Sequence, residues 1–149
     1  RPATLGFAIQ SSVFEVKQDE PMLIGIVAAK KKVAYQVDPG KHLFMVVGES
    51  ADFMSAQLDA NKTYYTLVTP RMGMWKARFS LKPVSAAELQ SPDFNKWYDA
   101  CEWVEKIPAA DTWAADNMTS IKSKQDAYYT KWMNNDTTPR PMRHPKDGR

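Results

Sequence analysis

At 149 residues, with 25% charged and 44% hydrophobic side chains, the chain has an ordinary folded-domain composition and enough length to bury a core. Its net charge of +3 points away from nucleic acid, whose binders gather Lys and Arg on one stripe. No run approaches the roughly 20 apolar residues of a membrane-spanning helix, and the lone cysteine, Cys101, excludes an internal disulfide.

Taken in order, Thr4 to Ile9 and Val13 to Val16 read as short strands, and Gln18-Asp19-Glu20-Pro21 as a polar turn. Met22 to Ala29 has strand length and β-branched content. Lys30-Lys31-Lys32 reads as a solvated hairpin turn rather than a phosphate site, leading into Val33 to Val37, whose alternate residues share a face. In Asp38-Pro39-Gly40-Lys41, Pro39 presets the first corner and Gly40 supplies a positive φ. His42 to Val47 follows as a strand with apolar residues on both faces. Phe53 to Leu58 and Thr63 to Val68 are expected to form a hairpin around Asn61, which tolerates a left-handed conformation.

Met74 to Pro83 alternates most clearly. Trp75, Ala77, Phe79 and Leu81 fall on one face, and Lys76, Arg78, Ser80 and Lys82 on the other, as in a half-buried strand. Residues 1–84 therefore read as an antiparallel β-sandwich of about seven strands, Ig-like or prealbumin-like.

The pattern changes at Ser85. Ser85-Ala86-Ala87-Glu88 fits a capping box, and Ser91-Pro92 fits an N-cap with proline at the first helical position. Phe94, Trp97, Tyr98, Cys101 and Val104 then form one helical stripe, which Pro108 ends. A second helix is predicted from near Asp111 to about Asn134, with Ala114, Met118, Ile121, Gln125, Tyr128 and Trp132 in heptad-like spacing. Together, residues 85–134 read as a helical hairpin packed on the sandwich. Residues 135–149 hold three prolines and four basic residues and read as a flexible tail.

Chemistry is sparse. Of the two histidines, His42 follows the Pro-Gly turn and His144 lies in the tail. No zinc-ligand spacing and no Gly-x-Ser-x-Gly elbow accompany them, so no catalytic residue, metal or cofactor is expected. Cys101 reads as core packing, and Asp99, Glu102 and Glu105 as a solvated face. Trp103, Ile107, Trp113 and Tyr129 fall off the apolar stripes. They are covered within the hairpin or form an interaction surface.

Val37-Asp38-Pro39-Gly40-Lys41-His42 and Ala60-Asn61-Lys62-Thr63-Tyr64-Tyr65 carry a resemblance. Over roughly Val13 to Val84 the chain resembles a family of uncharacterised bacterial lipoproteins with a PEGA-like β-sandwich, with Asn61 where that family has Gly. The resemblance implies an exported protein of the periplasm or outer membrane, held by a lipidated cysteine upstream of Arg1, with no implied activity. An upstream signal peptide also fits a sequence that opens on Arg1-Pro2 without Met. The expected function is a non-enzymatic binding or scaffolding module for an envelope protein. The alternatives are a carbohydrate- or peptidoglycan-binding module using exposed Trp and Tyr, and a hydrolase built on His42.

Overall fold

The structure, a computed structural model, describes residues 10–135 and 139–149; the strand predicted at Thr4 to Ile9 lies outside them. The fold is mixed β and α. Strands β1 (Ser11–Lys17), β2 (Glu20–Val27), β4 (Gly40–Val47), β5 (Ala51–Leu58) and β9 (Met142–Arg143) form one sheet in the order β2-β1-β4-β5-β9. A separate ribbon pairs β6 (Thr66–Arg71) with β7 (Arg78–Pro83), and a short parallel bridge joins β3 (Lys31–Lys32) to β8 (Glu102–Trp103).

Both faces of the large sheet are covered, which explains strands apolar on both sides. Val13, Val46 and Met54 pack with Val68, Phe79 and Leu81 of the ribbon. Their neighbours Phe14, Met45 and Phe53 point the other way, as a period of two requires. Helix α3 (Met118–Met133) lies on that second face through Met118, Ile121, Tyr128 and Trp132, and Gln125 Nε2 donates to the Asp19 carbonyl at 3.1 Å. The heptad-like stripe is thus the packing face of α3.

Several expected elements differ. Strands β2 and β4 both run antiparallel to β1, so they are parallel to each other and need a crossover. Residues 33–39 are that crossover, not a hairpin strand; Val33 packs on the ribbon-side core as the chain crosses. Gly40 has φ +122° where β4 begins. The lysine run is structured as well. Lys30 has φ 58°, Lys31 pairs with Glu102, and Lys32 Nζ donates to the Tyr98 carbonyl at 2.6 Å.

The predicted hairpin around Asn61 does not form, although Asn61 is left-handed at φ 58°. Strand β6 pairs with β7, and the free edge of β5 takes β9 in parallel. The C-terminal segment has wedged in. Thr63 and Arg149 exchange backbone hydrogen bonds of 2.7 and 3.1 Å, and the Lys62 and Tyr64 side chains both donate to the Pro145 carbonyl. Arg143, 1% exposed, donates to the Val84 carbonyl and to Thr66 Oγ1. The flexible-tail reading of 135–149 is therefore corrected for 139–149, which form a strut between β5 and residues 63–66.

The helical third also departs from a hairpin. The Ser85–Glu88 capping box forms, with bonds of 2.8 and 3.2 Å, and Ser91 Oγ caps α1 (Pro92–Ala100). Helix α1 ends at Ala100, because Glu102 and Val104 give their N–H groups to the Lys30 and Lys32 carbonyls. Pro108 opens α2 (Pro108–Asp116) instead of closing α1. Asn117, at φ −104° and ψ 7°, separates α2 from α3, and its side-chain amide donates to the Trp113 carbonyl at 2.8 Å. Phe94 of α1 packs with Val84 and Leu89, whereas α3 lies on the large sheet. Among the described residues no helix is long and apolar enough to cross a membrane.

Candidate functional site

The ribbon does not cover its whole side of the large sheet. Between it and the crossover lies a groove of about 950 Å3, within the size range of small-molecule and peptide-segment sites. Its floor is the ribbon-side core, including Val13, Ile24, Met54 and Leu81. The crossover forms one wall. Tyr98 and Trp103 stand on the crossover's side, beside Lys32, and Tyr64 and Tyr65 line the other wall.

The crossover wall is pinned by a buried carboxylate. Glu15 shares a face with Val13 and is 1% exposed. Tyr35 Oη donates to Glu15 Oε2 at 2.6 Å, and His42 Nδ1 lies 2.6 Å from Oε1. Lys17 Nζ is 3.5 Å away. Burial pulls the Glu15 pKa upward, but the bonds from Tyr35 and His42 together with Lys17 outweigh it, and the net shift is downward from 4.5. Burial and the Glu15 charge push the Tyr35 hydroxyl up to about 12, so it remains a donor. A backbone carbonyl can only accept, so His42 Nε2, 2.7 Å from the Asp38 carbonyl, carries a proton.

His42 therefore has both ring nitrogens engaged, and neither it nor Glu15 lines the groove. A general base needs a nitrogen lone pair free to take a proton from a substrate or nucleophile. Among the described residues no three His, Cys, Asp or Glu side chains converge as a metal site. Cys101 is buried.

The four residues singled out from sequence fall in different places. Trp103, 54% exposed, lies on β8 rather than on a helix and stands edge-on to Tyr98 at 6.2 Å. Lys32 Nζ sits 3.6 Å from the Tyr98 ring centroid and 4.9 Å from that of Trp103. Ile107 is exposed just before α2. Tyr129 leans edge-on against Phe53 at 5.3 Å. Trp113 lines a second depression, of about 840 Å3, facing residues 71–77.

That second face was not found from sequence. The alternation ending at Pro83 extends in sequence back to Met74, yet β7 starts at Arg78 and Trp75 is 88% exposed. Met72 and Met74 are equally bare, at 89% and 78%. Glu49 is the cause. Its carboxylate accepts the N–H groups of Met74, Trp75 and Lys76 at 2.6–2.9 Å, and Arg78 Nε at 2.9 Å. These bonds hold its pKa down to about 2 and withdraw three amides from any strand ladder. Gly73 closes the turn, where a Cβ would lie 1.8 Å from the Lys76 carbonyl oxygen. The legible signal was Pro70-Arg71-Met72-Gly73, a turn composition abutting the alternating run.

No family model, curated protein or solved structure matches the chain.

Proposed function

We propose that this chain is a non-enzymatic binding module of the cell envelope, taking an extended, partly apolar segment of a partner protein into the groove beside Trp103. The observation that carries it is the groove itself: an apolar floor between two walls, each fixed independently of any ligand. Glu15 holds one wall through Tyr35, and the C-terminal strut holds the other through Thr63 and Tyr64. Pre-fixed walls spare a ligand the cost of ordering them. The layering of ribbon on sheet supports reading the fold as an opened β-sandwich. The resemblance to envelope lipoproteins supports the location.

The carbohydrate reading is weaker. A sugar stacks on an open ring face, ideally on coplanar rings, whereas Tyr98 and Trp103 are 83° apart. Lys32 also covers the Tyr98 ring face. The hydrolase reading lacks a free histidine nitrogen.

Co-purification tests the proposal. A partner recovered with the wild type and with a Lys122→Ser control is expected to be lost with Trp103→Ser and Val33→Ser. Retention of the same partner by both groove variants would refute the groove as its site.

A further inference from the structure

The loop 71–76 offers a second function, independent of the groove. Three large apolar side chains, Met72, Met74 and Trp75, stand almost fully in water, an arrangement that is costly unless something covers them. The loop is not loose, because Glu49 and Gly73 fix its backbone as described above. Cations surround its base. Arg71 precedes the apolar residues, Lys76 follows them, and Lys124 of α3 lines the same depression, with its Nζ 2.7 Å from the Gly48 carbonyl. Glu49 stays anionic and pairs with Arg78, and Asp52 lies 3.8 Å from Arg71, so Arg71, Lys76, Arg78 and Lys124 are set against two carboxylates and leave the base of the loop positive. Burial, followed by repulsion from Lys76, pulls the Lys124 pKa down.

We propose that this loop docks on an anionic lipid bilayer, with Met72, Met74 and Trp75 entering the interfacial layer and Arg71, Lys76 and Lys124 lying at the level of the headgroups. Two features select a bilayer over a folded partner. The apolar groups form a crest only a few residues wide, which a fluid interface accommodates without matching its shape. Arg71, Lys76 and Lys124 flank that crest with a net positive charge, and basic patches of this kind attract anionic headgroups. Tryptophan also favours the membrane interface.

Sedimentation of residues 1–149 with vesicles tests this. Binding is expected to phosphatidylglycerol/phosphatidylethanolamine vesicles and not to phosphatidylcholine, and it should weaken with added salt. Met74→Ser/Trp75→Ser should lower the affinity by more than about tenfold, and Lys76→Gln by about fivefold. Brominated lipids should quench the wild type more than the double variant. Trp103→Ser should bind vesicles normally, which separates this result from the groove. An absence of binding to anionic vesicles, or undiminished binding by the double variant, would overturn the proposal.

Discussion

Removing residues 136–149 is expected to destabilise the fold by several kcal/mol, on the order of 4, and to open the groove wall. The truncation strips β9 from the edge of β5 and removes the bonds that Arg149 makes to the Thr63 backbone and Arg143 to the Thr66 hydroxyl. It also uncovers Tyr64, against which Gly148 packs so closely that a Cβ there would meet the ring at 2.7 Å. Arg143→Ala should reproduce much of the loss, about 3 kcal/mol, because a buried cation donates two hydrogen bonds that nothing else supplies. Burial lowers the Arg143 pKa only to about 10, so the guanidinium stays charged at neutral pH. Denaturant titration reads both values. A tail that was merely solvated would leave the midpoint unmoved.

Glu15→Ala is expected to cost about 3 kcal/mol, the order for deleting a buried carboxylate that serves two hydrogen bonds. Melting would then fall by about 10 °C. The loss strands His42 and the Tyr35 hydroxyl and frees the crossover. The same group predicts a pH dependence. Folding lowers the Glu15 pKa below 4.5, so the folded state binds the proton more weakly than the unfolded chain does. Its stabilising contribution is complete above the unfolded value and is lost as the pH falls through the folded one. Wild-type stability should therefore decline on acidification below about pH 4.5, and more steeply than that of Glu15→Gln, which has no charge to lose there. Parallel slopes for the two proteins would remove Glu15 from its role.

What was legible in the sequence was local. The Ser85–Glu88 box, the Ser91-Pro92 start, the positive φ of Gly40 and Asn61, and the packing stripe of α3 all follow from residues within a turn or two of each other. Partner choice between distant segments was not legible. The residues of 63–68 have the same strand character whether they pair with β5 or with β7, and only β9, arriving from some 85 residues later, decides. Lys31 and Lys32 look like a solvated turn until Glu102 and Trp103 come alongside. The alternation at Trp75 was real as a pattern, yet a single carboxylate at Glu49 takes the amides a strand would need. Glu15 carries no sequence signal: one acid inside an apolar strand looks like an outward-facing residue until the crossover is known to lie above it. The groove depends on these long-range pairings, so of its walls only Trp103 could be named beforehand, and it was placed on the wrong element.

The most direct test of the groove is site-specific photo-crosslinking in the intact envelope, with a photoreactive side chain placed in turn at Trp103, Tyr35 and Lys122. The expected result is one adduct of a single mass from positions 103 and 35, both lining the groove, and none from position 122 on α3. Adducts from position 122 alone, with positions 103 and 35 silent, would contradict a partner held in that groove.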